Sequence, residues 1–162
     1  MMATDQELSV ENRLFEDFVP GMSSMFGPIL IDEIEVVEFA SRYDPQPIHI
    51  DAAAAAAGPF GGLIASGWHT VSLVMRVLVE RYLAGAATLV SPGVDELRWL
   101  KPVRPGDELH VRVTVLEANR SRSKPDRGMV RTSIETLNQR DELVMTMIAM
   151  NLFRCRGTAG DV

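Results

Sequence analysis

At 162 residues with 46% hydrophobic side chains, the chain can bury one sizeable core but is too short for two ordinary domains, so one domain over residues 1–162, ordered over about 15–154, is expected. A formal charge of −6 argues against a nucleic-acid partner, which calls for a basic face, while leaving room for a local phosphate site. One cysteine, Cys155, excludes an intrachain disulfide, and the polar stretch from Met1 to Leu14 lacks the apolar centre of a secretion signal, so a reduced, cytoplasmic protein is expected.

In chain order, Met25 to Leu30 reads as a first strand. Asp32 with Glu35 then makes a capping-box-like start to a helix carrying Val36, Phe39, Ala40 and Tyr43 at helical spacing, which Pro45 must end. Asp51 N-caps a short helix over Ala52 to Ala57, stopped by Gly58 and Pro59. The uncharged stretch from Ala52 to Met75 is interrupted by Gly58, Pro59, Gly61, Gly62 and Gly67. It therefore offers no continuous span for a membrane.

From about Gly67 to Ala84 runs the most apolar helix, with Val71, Val74, Met75 and Leu78 on one face. Its first charge is Arg76, so its N-terminal half is expected to be enclosed on nearly all sides. The pattern then changes to period two. Val94 to Leu100 is followed by the Pro102 to Asp107 turn, and Leu109, Val111, Val113 and Val115 alternate with His110, Arg112 and Thr114, leaving His110 exposed. Met129 to Leu137 and Leu143 to Phe153, joined by the Asn138 to Asp141 turn, complete an α+β layout in which a sheet wraps a buried helix.

Chemistry concentrates in Tyr43-Asp44-Pro45-Gln46-Pro47-Ile48-His49. The residue before a proline is pushed to extended backbone, so Asp44 and Gln46 are not helical, and the acid and base are expected on rigid, non-helical chain. Five residues apart, the two side chains meet only if the chain turns near Gln46. Taken alone, the pair reads more readily as a surface acid at a turn and a partly buried histidine. The glycine-rich run from Gly58 to Gly67 adds a second element, delivering the chain into a helix N-terminus whose unpaired N–H groups can hold an oxygen that becomes negative.

Asp44-Pro45-Gln46-Pro47-Ile48-His49, the run Phe60 to Gly67 and the turn Leu100 to Asp107 together resemble the MaoC-like, (R)-specific enoyl-CoA hydratases, over about Phe15 to Phe153. The resemblance implies a hotdog fold, an antiparallel sheet of about five strands around a long central helix. It also implies a homodimer or higher homo-oligomer with active sites near the subunit interface, and an acyl-CoA thioester as substrate. By this resemblance Asp44 and His49 activate the water that adds to a trans-2-enoyl thioester, Gly67 N–H polarises the thioester carbonyl, and Ser72 matches a serine near the pair. A hydroxyl at Ser72 is equally suited to bonding its own helix. Three positions depart from the motif: Tyr43 for glycine, Gln46 for asparagine, and Ser66 where histidine often precedes the helix glycine.

His69 is a further pocket candidate with Tyr43, Gln46 and Ser72, although a buried structural histidine is the plainer reading. Lys101, Arg104, Arg122 and Lys124 are candidates for CoA phosphates. The last two sit with Arg120 and Arg127 in a loop over Asn119 to Gly128, for which an ordinary solvated hairpin is the plainer reading. The methionines are read as core or dimer packing. No spacing of histidines, Cys155 and acids suggests a metal site, and no cofactor is implied. A hotdog thioesterase would carry an acid in the first turns of the central helix, and Trp68 to Val79 has none. A non-catalytic acyl-CoA-binding domain would need no acid–base pair.

Overall fold

Alternating burial is the organising feature of the second half of the computed structural model, which describes residues 13–83 and 87–157. A 3-10 turn (Phe15–Asp17) leads to β1 (Ser23–Leu30), then to four helices: α1 (Glu33–Tyr43), α2 (Pro47–Ile50), α3 (Ala52–Ala57) and α4 (Gly67–Arg81). Strands β2 (Thr88–Trp99), β3 (Glu108–Arg120), β4 (Arg127–Leu137) and β5 (Leu143–Arg154) follow. All pairings are antiparallel, in the order β1-β3-β4-β5-β2.

Leu109, Val111, Val113 and Val115 of β3, Val130 and Ile134 of β4, and Met145, Met147 and Phe153 of β5 are buried in one core with Leu73, Val74 and Leu78 of α4. Each such side chain removed from water contributes roughly 1.5–3 kcal/mol. The sheet face and the apolar stripe of α4 thus stabilise one another, and the start of α4 is fixed beside the sheet.

The predicted caps form. Asp32 accepts from Glu35 N at 3.0 Å and Asp51 from Ala54 N at 3.0 Å, each satisfying a first-turn donor. The stretch from Ala52 to Met75 divides into α3, a loop and α4, and no helix among the described residues is long and apolar enough to cross a membrane.

Several expectations are corrected. β2 begins six residues before Val94, through Pro92, which is tolerated because β2 is an edge strand paired with β5 and bulged at three places. α4 ends at Arg81; Ala84 lies outside the described residues. The hairpin loop shrinks to residues 121–126, because β3 and β4 extend further. His110 is half-buried rather than exposed, since Gly27, with φ of 133°, brings the β1 backbone close against it.

The enclosed N-terminal half of α4 is also corrected. Trp68 is 57% exposed, Met75 42% and Val79 53%, and with exposed Ser72 they form one stripe at helical spacing. The sheet covers one side of α4 and α1 packs beside His69, and among the described residues the third side is left largely exposed.

Candidate active site

Proline chemistry makes the turn that the acid and base need. α1 ends at Tyr43, Asp44 takes an irregular backbone conformation, and a three-residue turn about Pro45 closes with Gln46 N donating to Asp44 O at 2.7 Å. Gln46 is extended, and Pro47 occupies the first position of α2, where its missing N–H costs nothing. His49 N donates to Gln46 O at 2.9 Å. The expectation of a wholly non-helical segment is therefore corrected: His49 stands on a single helical turn, and that turn swings its ring back toward Asp44.

The two groups meet. His49 Nε2 lies 3.3 Å from Asp44 Oδ2, with the imidazole 6% exposed and the carboxylate side chain 21% exposed. Behind the ring, Nδ1 lies 2.7 Å from Ile64 O, and Ile64 N donates back to Ile48 O at 3.1 Å. A carbonyl can only accept, so Nδ1 carries a proton, and Nε2 is the ring nitrogen turned toward Asp44.

Asp44 is held from two sides. Gln46 Nε2 donates to Oδ1 at 2.7 Å and Ser66 Oγ donates to Oδ2 at 2.7 Å. These two hydrogen bonds hold the Asp44 carboxyl below its ordinary range, against a smaller opposing effect of burial and with help from the nearby imidazole.

The pair opens on a cavity of about 480 Å³ that Gly67 also lines. Gly61, with φ of 66°, turns the incoming loop, and Ala65 N donates to Val103 O at 2.8 Å, tying the loop to the turn before β3. Gly67 needs to be glycine for space, because a Cβ there would overlap the Trp99 indole. Ser66, at the N-cap of α4, gives the helix no side-chain cap. Gly67, Trp68 and Thr70 of the first turn line this cavity, at the positive end of the helix dipole.

Of the other pocket candidates, only Gln46 shares this cavity. Tyr43, His69 and Ser72 line a separate groove of about 800 Å³ between α1 and α4. His69 is 4% exposed and stacks on Phe39 with ring centroids 4.8 Å apart, while its Nδ1 has no hydrogen-bond partner among the described residues. Burial pushes its pKa down, opposed by Glu35 and aided by Arg76. Ser72 Oγ donates to Trp68 O at 2.8 Å, the bond to its own helix that the sequence allowed.

Among the basic candidates, Lys101 lines the cavity but is paired with Glu142 at 2.7 Å, and Arg104 donates to Phe60 O at 2.5 Å. Arg122 and Lys124 lie beyond the far end of β3, about 40 Å along the strand from that turn at ~3.3 Å per residue. Among the described residues no group of three or more His, Cys, Asp or Glu could hold a metal ion.

Sequence reasoning missed Trp99, whose indole walls the cavity against Gly67 and meets Trp68 edge-on at 5.2 Å. It also missed the donor role of Ser66. A glycine opening a long apolar helix was the available signal of a close approach at that point.

A family profile described as "MaoC like domain" matches residues 17–139. A crystal structure of the MaoC-like dehydratase from Rhodospirillum rubrum is 41% identical with a TM-score of 0.83, the match covering 90% of this chain and 99% of that one. The R-hydratase PhaJ1 from Pseudomonas aeruginosa, solved unliganded, is 27% identical with a TM-score of 0.74, covering 94% and 95%. The 3-hydroxybutyryl-CoA dehydratase of Methylorubrum extorquens is 36% identical over 104 residues, which is 64% of this chain and 64% of that protein.

Proposed function

The chain belongs to the MaoC-like domain family and has its hotdog fold, and from that premise we propose that it is a hydro-lyase interconverting a trans-2-enoyl thioester and its 3-hydroxyacyl form. The observation that carries the reading is the 3.3 Å approach of Asp44 Oδ2 and His49 Nε2 at one cavity with the start of α4.

Two acceptors facing each other suit a water molecule that donates one hydrogen to each. The oxygen of that water is then turned toward the cavity, where it adds to C3 of the enoyl group. Its proton passes to His49 Nε2 while the N–H of Gly67 takes up the negative charge growing on the thioester oxygen. The protonated ring returns that proton to C2 as the enolate collapses, so one water supplies both groups added, the hydroxyl at C3 and the hydrogen at C2. Dehydration is the same path reversed.

Ile64, Leu100, Pro102 and Val103 give the cavity apolar walls suited to an acyl chain, and its volume falls within the ordinary range for small-ligand sites. A CoA thioester is the proposed substrate, as the name of the Methylorubrum relative suggests. Lys101 and Arg104 are the better placed of the four basic candidates for its phosphates. Arg122 and Lys124 could reach such a site only from another subunit.

Residues 1–162 are read as one such domain, and its partner as a second copy. The bare stripe of Trp68, Met75 and Val79 and the open edge of β2, with Val90 and Val94 exposed, support this. The test is a panel of short trans-2-enoyl-CoA substrates, following loss of the conjugated thioester absorbance. Hydration by the wild type that collapses in Asp44→Asn and His49→Ala is expected. An inert wild type would contradict the reading.

A further inference from the structure

Gln46 and Ser66 share an unusual feature. Each is the N-cap residue of a helix, α2 and α4 respectively, and neither side chain caps its helix. Serine at that position ordinarily turns its oxygen onto a first-turn N–H. Here the fully buried Ser66 hydroxyl is turned the other way and donates to Asp44 Oδ2, while the Gln46 amide donates to Oδ1, both at 2.7 Å.

We infer that Gln46 and Ser66 are positioning residues that keep Asp44 an oriented carboxylate, so that His49 alone carries the proton between water and substrate carbon. The inference rests on the hydro-lyase reading for its chemical meaning, and on geometry for the hold itself. One donor on each oxygen leaves a single orientation of the carboxyl group, the one in which Oδ2 faces Nε2. An acceptor already supplied with two donors gains little from a proton of its own. The same turn of Ser66 leaves the start of α4 without a side-chain cap, free to serve a ligand oxygen. Two departures from the motif thus converge on one group.

Among the described residues, little else facing Asp44 can set its charge. α2 presents His49. α4 presents Gly67, Trp68 and Thr70, with no charge. The turn before β3 presents Lys101, which is engaged by Glu142. Tyr43, next in sequence, lines the other groove.

The test uses the full chain with aspartate labelled at the carboxyl carbon, the Asp44 signal being identified by its loss in Asp44→Asn. Its titration by NMR is compared in wild type, Ser66→Ala and Gln46→Met, alongside the pH profile of kcat/KM on a short trans-2-enoyl-CoA. Because Gln46 is exposed, Gln46→Met serves if Ser66→Ala fails to fold. The Asp44 titration should move up by on the order of half a unit to one unit per lost hydrogen bond, with kcat falling more than KM rises.

An Asp44 titration unmoved in the variants would overturn the inference even if hydration is observed. A shifted titration in a protein that hydrates no enoyl thioester would uphold the hold on Asp44. It would overturn the reaction, and with it the proton-carrying role of His49.

Discussion

The Trp99 indole occupies the space that a Cβ on Gly67 would need. The first residue of α4 is therefore coupled to a bulged edge strand distant in sequence, and the cavity wall and the helix start are one packing unit. Gly67→Ala should destabilise the protein by about 1–3 kcal/mol through overpacking. In a Trp99→Ala background the same change should cost much less, giving a coupling of roughly 0.5–3 kcal/mol in a double-mutant cycle. Urea denaturation of the four proteins measures it, and additive costs would refute the coupling.

Glu142 sits among three donors: Asn138 Nδ2 at 2.8 Å, Lys101 Nζ at 2.7 Å and Arg140 Nη2 at 2.8 Å. The Asn138 amide, then Lys101 and Arg140, lower its carboxyl from 4.5 to about 2. A carboxylate with a depressed folded value stabilises the protein above its unfolded value, and that stability is lost as pH falls through the folded one. Wild type should therefore lose stability between about pH 4.5 and 2 more steeply than Glu142→Gln. Denaturation midpoints across that range check it, and parallel curves would count against it.

His69 should act on stability and not on the chemistry. Its buried ring, with Nδ1 unpaired, resists protonation, whereas the unfolded chain takes up the proton near the ordinary value of 6.5. Stability from this residue is therefore lost as pH drops below about 6.5 toward its lower folded value. His69→Phe, which keeps a ring against Phe39, should flatten that part of the stability curve and change kcat/KM by less than about fivefold, against the ~10²–10⁴-fold expected of a general acid–base group. A loss comparable to that of His49→Ala would move His69 into the chemistry.

In the core, Ile134 is 1% exposed beneath α4, and Ile134→Ala should cost about 2–5 kcal/mol. Leu30, 64% exposed at the end of β1, should tolerate alanine within roughly 0.5 kcal/mol. Chemical denaturation of the two variants checks the direction in which the sheet faces its core.

Much of this was legible in the sequence because it depends on local rules. Alternating valines fix the buried face of β3, and Asp32 and Asp51 announce the helices they cap. The sequence also offered Asp44, His49 and Gly67 as one set, through motif position. It could not show the turn at Pro45 to Pro47, because a proline excludes conformations without choosing among the rest.

The destination of the Ser66 hydroxyl was hidden too, since it depends on a partner 22 residues away. The bare side of α4 was misread for a related reason. An apolar stripe states that something covers it, and among the described residues α1 and the sheet leave Trp68, Met75 and Val79 largely exposed. His69 and Ser72 were near the pair in sequence, but helical rotation carries them to the other groove.

The most direct measurement is the rate at which purified protein hydrates a short trans-2-enoyl-CoA, with Asp44→Asn and His49→Ala measured beside it. The account predicts turnover by the wild type, a loss of at least ~10²-fold in each variant, and unchanged circular dichroism. A wild type that leaves the thioester untouched, or variants that match its rate, would contradict it.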